Sequence, residues 1–507
     1  MAEQTQSSDL GRHGRNISWL LVVDALWKII SVFYFAYVFE KLNKAENELY
    51  TLFISVLPMV MAINALGFQD VVNREAAKRR DAVDRLMGSA LVAQFVLFAA
   101  AMAATWLIAC AVGVSQEMLW LVLLWPVAGF LASAVEMHNA LFAAHERFRE
   151  LSLIAVLTRM ITVGGALGLL YAGYRVNALV AYVTGMYVIQ LAMSYAVFRI
   201  KCGGYRLGAS LDAVRYLFRE GLTMAVGRVA ATSYYQLDMP AIRLFGSQAM
   251  AIEYAVGPRF FALLTTLPNT LESIFFPILS RKTSPGNDGS GIVIERFVKL
   301  TWLVALPMAV GMTVVGDDLV RTLAGEQYLS GVPVVVMFTW VVALAMLDRV
   351  AVVYLRAAGR QGAVMWIYAA ALAAKSALCI PAIWFWGING MLVVSAACSA
   401  AITLYIFAAM HALIPTVHLR TVLALGLRPA AASALMAGVL WMVQAPFWDA
   451  PRQLWGVSHS IFVTVPLGAV LYGLSLLLLG ALDEFDWQFL AKTLKIQRAP
   501  VNPEAET

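Results

Sequence analysis

Residues 87–112 read MGSALVAQFVLFAAAMAATWLIACAV, a run of 26 residues without a single charge. At about 1.5 Å of rise per residue, a helix of that length crosses the roughly 30 Å hydrocarbon core of a bilayer. The segment before it carries Arg74, Lys78, Arg79, Arg80 and Arg85, whereas Gly113–Glu117 after it carries no Lys or Arg. An apolar run with five cations at one end and none at the other reads as a membrane span of defined orientation.

The same alternation extends over the whole chain. Fourteen apolar stretches are expected to span: 17–39, 49–69, 87–112, 118–143, 151–172, 178–198, 221–245, 252–279, 297–315, 332–355, 363–386, 390–410, 429–447 and 458–480. An even number puts both termini on one side. That side holds 25 of the 37 Lys and Arg, counting Lys299 at the edge of its span with the loop, and the other side holds 5. The positive-inside rule assigns the basic side to the cytoplasm. The remaining seven lie within spans: Lys28, Arg159, Arg228, Arg243, Arg259, Arg349 and Lys375.

Composition agrees. The 507 residues are 61% hydrophobic and 13% charged, and the mean hydropathy of +0.75 is foreign to soluble domains of this size. The net charge of +6 is concentrated in basic loops, where it meets anionic lipid head groups; it is no sign of nucleic-acid binding. Cys110, Cys202, Cys379 and Cys398 form no C-x-x-C pair, so neither a disulfide framework nor a zinc site is indicated. The first stretch contains Asp24 and Lys28 and lacks a small-residue cleavage site, which reads as a retained span.

Loop lengths narrow the function. Among the outer loops the longest runs from Gly316 to Gly331, and the longest basic-side loops are about 199–220 and 280–296. None leaves room for a nucleotide-binding domain, and no G-x-x-x-x-G-K-[ST] or strand-linked G-x-G-x-x-G occurs. His13, His138, His145, His411, His418 and His459 fall in no ligand spacing. Membrane polymerases, ligases and glycosyltransferases need extramembrane space that this chain lacks. These features argue for a transporter without cofactors rather than an enzyme.

The chain repeats itself, as secondary transporters often do. The fourth stretch leaves the membrane as Leu141-Phe142-Ala143-Ala144-His145-Glu146-Arg147 and the tenth as Leu355-Arg356-Ala357-Ala358-Gly359-Arg360. Each following span buries a cation, Arg159 and Lys375, and the next outer turns read Gly173-Tyr174-Arg175-Val176-Asn177 and Trp386-Gly387-Ile388-Asn389-Gly390. The expected organisation is an all-α polytopic membrane protein with a six-helix lobe at 1–198, a linker at 199–220 and a second six-helix lobe at 221–410. An appended helix pair at 411–480 and a tail at 481–507 complete it.

Twelve spans in two lobes with two extra spans resemble the multidrug/oligosaccharidyl-lipid/polysaccharide flippase superfamily. Glu253-Tyr254-Ala255-Val256-Gly257-Pro258-Arg259, Leu267-Pro268 and Phe276-Pro277-Ile278-Leu279-Ser280-Arg281 resemble the eighth span of its polysaccharide transporters. The Leu355–Arg360 exit is similar to theirs too. By architecture the resemblance covers about 16–415, by motif only a few dozen residues. It implies inner-membrane flipping of an undecaprenyl-pyrophosphate-linked glycan for O-antigen or exopolysaccharide synthesis, by alternating access between V-shaped lobes. It also implies polymerase and chain-length or export machinery as partners. The competing readings are a multidrug and toxin extrusion cation antiporter, with Asp24 as its coupling carboxylate, and a cell-wall lipid II flippase.

The span cations favour an anionic substrate. A charge at the bilayer centre costs about 2.5–3.5 kcal/mol on insertion scales, so it faces protein or water. Arg159 and Lys375 lie roughly 13–18 Å into their spans at about 1.5 Å per residue and occupy matching places in the halves. Two readings stand: both face a central cleft, or each pairs with an acid on a neighbouring helix, Glu136 for Arg159. Arg228 heads a stripe with Thr232, Tyr235 and Met239; Arg259 heads another with Thr266, Thr270 and Ser273. Lys28 follows Asp24 by one helical turn, and Arg349 adjoins Asp348, so local pairing competes with a cavity role for both. Arg243, near the outer end of its span, is expected to snorkel without a role. Guanidinium forks suit a pyrophosphate or acidic glycan and would repel a cationic drug. Asp24, Glu136 and Asp348 are the candidate ion-coupling carboxylates. Segments 211–220 and 485–496 read as helices lying on the basic-side leaflet.

Overall fold

The computed structural model describes residues 30–78, 83–205, 207–264, 271–272, 275–276, 278–280, 290–414, 417–444 and 457–483. Within these residues the chain is helical, and no strand occurs. Asp24, Lys28, the stripe residues Thr266, Thr270 and Ser273, and segment 485–496 lie outside them.

The helices in order are α1 (residues 30–41), α2 (Lys44–Ala65), α3 (Phe68–Lys78), α4 (Val83–Val112), α5 (Gln116–Ala144), α6 (Phe148–Tyr171) and α7 (Val176–Cys202). Then come α8 (Leu211–Gln236), α9 (Asp238–Phe245), α10 (Gln248–Tyr254), α11 (Gly257–Leu264), α12 (Ser290–Leu323), α13 (Val332–Ala357), α14 (Gln361–His411), α15 (Leu419–Gln444) and α16 (Val457–Leu478). Among the described residues nine helices are long and apolar enough to cross a membrane. One of them, α14, holds two expected spans joined across a kink at Gly387, where φ is 60°. The protein is therefore a multi-pass, all-α membrane protein.

Local sequence explains the boundaries. A capping box starts α2: the Glu46 amide donates to Asn43 Oδ1 at 2.9 Å, and the Asn43 amide donates to Glu46 Oε2 at 3.0 Å. Ser210 caps α8 by accepting from the Ala213 amide at 3.3 Å. That cap makes 211–220 the first turns of α8, continuous with the seventh stretch rather than a separate surface helix. The seventh stretch is in turn broken at Leu237, so that α9 restarts at Asp238.

The two matching exits fold alike. After Ala144 and after Ala357 the chain makes the same turn at a spacing of 213 residues (144 to 357). The Arg147 amide reaches the Phe142 carbonyl at 2.8 Å, and the Arg360 amide reaches the Leu355 carbonyl at 2.8 Å. Glu146 and Gly359 hold the left-handed position, with φ of 57° and 73°. This is the 6→1 closure of a Schellman motif.

Packing separates the chain into sets. Phe68, Met87, Met137, Phe142 and Phe198 form one core; Phe275, Phe297, Val350, Tyr354 and Phe407 form another. In the latter Phe275 and Phe297 stack at 4.3 Å. A third cluster joins the halves, bringing Val38, Tyr50 and Phe53 against Met239, Tyr254 and Ile383. Only 6% of the most apolar window of α4 is buried, leaving Phe95, Val96 and Leu107 exposed as a hydrocarbon-facing surface. Asp84, His145, Arg147 and Lys201 gather at one end of the bundle, the basic end. Glu46 and Arg175 pair at the opposite end, at 3.1 Å.

Candidate functional site

Between the halves, at the basic end, lies a cavity of about 830 Å³. Its wall carries Arg219, Arg228, Arg349 and Arg356 against Asp70 and Glu220, with Thr232, Gln361, Tyr235 and Tyr368 among them. Most of this wall comes from α8, α13 and α14; Asp70 comes from α3. Arg228 donates to Asp70 Oδ2 at 2.7 Å, with side chains 42% and 37% exposed. Glu272 is shared by two guanidinium groups, Arg349 at 2.8 Å and Arg356 at 2.6 Å, so this trio keeps one positive charge in excess. Tyr234, Tyr235 and Tyr368 form an aromatic group, with the Tyr235 and Tyr368 rings 6.3 Å apart. Tyr235 and Tyr368 line the cavity, each with an apolar ring and a polar tip, while Tyr234 is buried behind them.

The rim is cross-braced. Arg74 on α3 donates to Glu220 at 3.1 Å and to Tyr216 at 3.3 Å, and the bond to Glu220 foremost holds its guanidinium above the ordinary range. Tyr205, in the connection between α7 and α8, lies 2.7 Å from His138 Nε2. Burial pushes the Tyr205 phenol up to about 12.

Of the cations expected in the cavity, Arg228 and Arg349 line it, together with Thr232 and Tyr235 from the expected stripe. Met239 of that stripe is core instead. Arg349 pairs with Glu272 and not with neighbouring Asp348, because adjacent helix positions diverge by about 100°. Asp348 points into the core, 1% exposed, with the Tyr235 hydroxyl at 3.5 Å. Arg159 is exposed on α6, and both it and Glu136 lie within electrostatic range of Tyr187. Glu136 itself accepts from Asn139 at 3.1 Å and lies within range of Arg228 and Asp70.

Lys375 departs from a cavity position. It is 3% exposed, with Nζ 2.5 Å from Asp238 Oδ1 and donating to the Tyr234 carbonyl at 3.0 Å. Asp238 also accepts from Tyr254 at 2.8 Å and Ser395 at 2.9 Å. A buried ammonium is stable only with such a partner set; the second sequence reading, an acid on a neighbouring helix, describes it. Lys375 and Arg159 therefore do not face each other across an open cleft here.

At the opposite end, Arg259 is 2% exposed and bonded to Asn47 and Thr51 of α2. Arg243, expected to snorkel, lies 3.1 Å from the fully buried Glu48. Asp70, Arg356, Asn47 and Glu48 escaped the sequence reading because each lies at or beyond the edge of an apolar stretch.

With this geometry in view, the family profile described as "Polysaccharide biosynthesis protein" matches residues 42–333, more than half of the chain. The chain belongs to that family. A curated relative of this family member, the teichuronic acid biosynthesis protein TuaB of Bacillus subtilis (strain 168), is 22% identical over 227 residues. That match takes in 43% of this chain and 45% of the relative, so the two correspond over about half the relative's length. Among solved structures, the lipid II flippase MurJ in an inward closed conformation superposes with a TM-score of 0.70 at 12% identity, over 94% of this chain and 99% of that one. An inward-facing multidrug resistance transporter of the MATE family reaches 0.60 at 11% identity, over 77% and 96%. At such identities the likeness is one of fold. The polysaccharide biosynthesis family member thus shares the fold of these two solved structures and has a basic cavity lined from α3, α8, α13 and α14.

Proposed function

We propose that this protein flips an undecaprenyl-pyrophosphate-linked oligosaccharide repeat unit across the bacterial inner membrane by alternating access, for O-antigen or exopolysaccharide synthesis. The basic end then faces the cytoplasm, both termini lie there, and the cavity is the loading site. The two lobes are 1–198 and 221–410, linked through 199–220, with 411–480 appended. The observation that carries this reading is the cavity wall: four arginines against two carboxylates, backed by tyrosines, in a member of a polysaccharide biosynthesis family.

Arg228 and Arg349 present forks that match phosphate oxygens, and their present partners are exchangeable. A half-exposed pair such as Arg228–Asp70 contributes about 0–1 kcal/mol, so an arriving anion displaces it at small cost. Arg159, exposed on α6, remains a candidate substrate-binding cation, whereas Lys375 is paired with Asp238. Asp24, Glu136 and Asp348 remain the candidate coupling carboxylates. A cation antiporter of similar fold is the rival, and the arginine excess opposes it.

The test is polymer export in cells carrying Arg228→Ala, Arg349→Ala or both. We expect each single variant to lose about tenfold in export and the pair more, with membrane abundance near the parent's. Lysine at either position should keep part of the activity, because charge survives while the fork is lost. Parental export in the double variant would reject the site.

A further inference from the structure

The cavity leaves Arg259 unexplained. Its guanidinium is buried on α11, and among the described residues no carboxylate pairs with it. Neutral groups of α2 hold it instead: Nε donates to Thr51 Oγ1 at 3.1 Å, Nη1 to Asn47 Oδ1 at 3.0 Å and Nη2 to the Asn47 carbonyl at 3.1 Å. The rings of Phe39 and Tyr50 lie 4.1 and 5.4 Å from it. The same two residues of α2 reach other parts of the second half. Asn47 Nδ2 donates to the Tyr328 hydroxyl at 2.9 Å, and Thr51 Oγ1 lies 3.3 Å from the Ala255 carbonyl. Asn47, Thr51 and Tyr328 are 0%, 0% and 1% exposed. This is a closed seam at the far end from the open cavity.

A buried cation without a counter-ion is costly, and bonds to neutral acceptors compensate it less than bonds to an anion. The seam therefore stores a preference: once parted, the guanidinium gains by meeting a negative group. We infer that Arg259 is the lock of the far gate and that an anionic group of the cargo, phosphate or carboxylate, opens it by replacing the acceptors on Asn47 and Thr51. Arg259 is then a gate residue in the inward-open state and a cargo ligand in the outward-open one. The inference rests on the alternating-access reading and adds what turns it.

The discriminating change is Asn47→Asp, which gives Arg259 a permanent carboxylate and welds the seam. Ala255, fully buried beside Thr51, serves as reporter through Ala255→Cys in a chain whose four native cysteines are replaced. A membrane-impermeant maleimide is added from the far side of proteoliposomes. Asn47→Asp should slow labelling about tenfold, and Asn47→Ala or Thr51→Ala should speed it. Arg259→Lys should label faster than the parent and export less.

Undecaprenyl pyrophosphate and a soluble acidic oligosaccharide are supplied separately to the parent. Acceleration by the first identifies phosphate as the key, by the second carboxylate; acceleration by neither overturns the inference. So does unchanged labelling in Asn47→Asp, a readout that holds even if Arg259→Lys fails to fold. Labelling that follows these expectations while no lipid-linked glycan crosses would leave the gate standing and reject the flippase reading.

Discussion

Lys375 is held inside the second half by Asp238, which stands where the seventh span breaks. The restart of the helix at Asp238 aims that carboxylate at α14, and the Tyr234 carbonyl beside the break accepts the second bond. Removing one member of such a pair costs about 3–5 kcal/mol, since it strands a buried charge. Lys375→Ala should therefore deplete the protein from the membrane, and Lys375→Ala with Asp238→Ala should recover much of it, read by quantitative immunoblotting. Full abundance of the single variant would refute the pairing. The span cations themselves were legible in the sequence because charge in an apolar run has to be accounted for. Their partners were not, since Asp238 and Glu272 lie 137 and 77 positions from Lys375 and Arg349 (238 to 375, 272 to 349). Proximity in sequence pointed to Asp348 for Arg349 and misled.

Elements were far more legible. Apolar length, basic flanks and turn residues located the third to sixth and the tenth stretches to within about four residues, whereas the helices over the seventh, ninth and thirteenth begin seven to ten residues earlier than expected. The two double-alanine exits make the same turn. Capping and breaks were the less visible part: nothing in the hydropathy of 221–245 marks Leu237 as a break, and Ser210 extends α8 back over a segment that resembles a surface helix. The connection between α7 and α8 is docked by close approach. A Cβ on Gly88 would stand 2.4 Å from the Gly208 carbonyl oxygen, backbone against backbone. Gly88→Val should undock that connection, a cost of about 1–3 kcal/mol. Half-buried Cys202, just before the connection, should then react with a thiol reagent several times faster than in the parent. An unchanged rate would mean the connection is held elsewhere.

The whole molecule, as described, opens around arginines at the basic end and is held at the other by the neutral acceptors of Arg259 and by the Arg243–Glu48 pair. In the proposed alternating-access cycle that asymmetry is one of two states, and the second carries cargo. Purified protein in proteoliposomes should move a fluorescent undecaprenyl-pyrophosphate-linked oligosaccharide between leaflets. Arg228→Ala with Arg349→Ala should slow that movement at least about tenfold, and a cationic dye should not be transported. Export of the dye with no movement of the lipid-linked glycan would contradict the central claim.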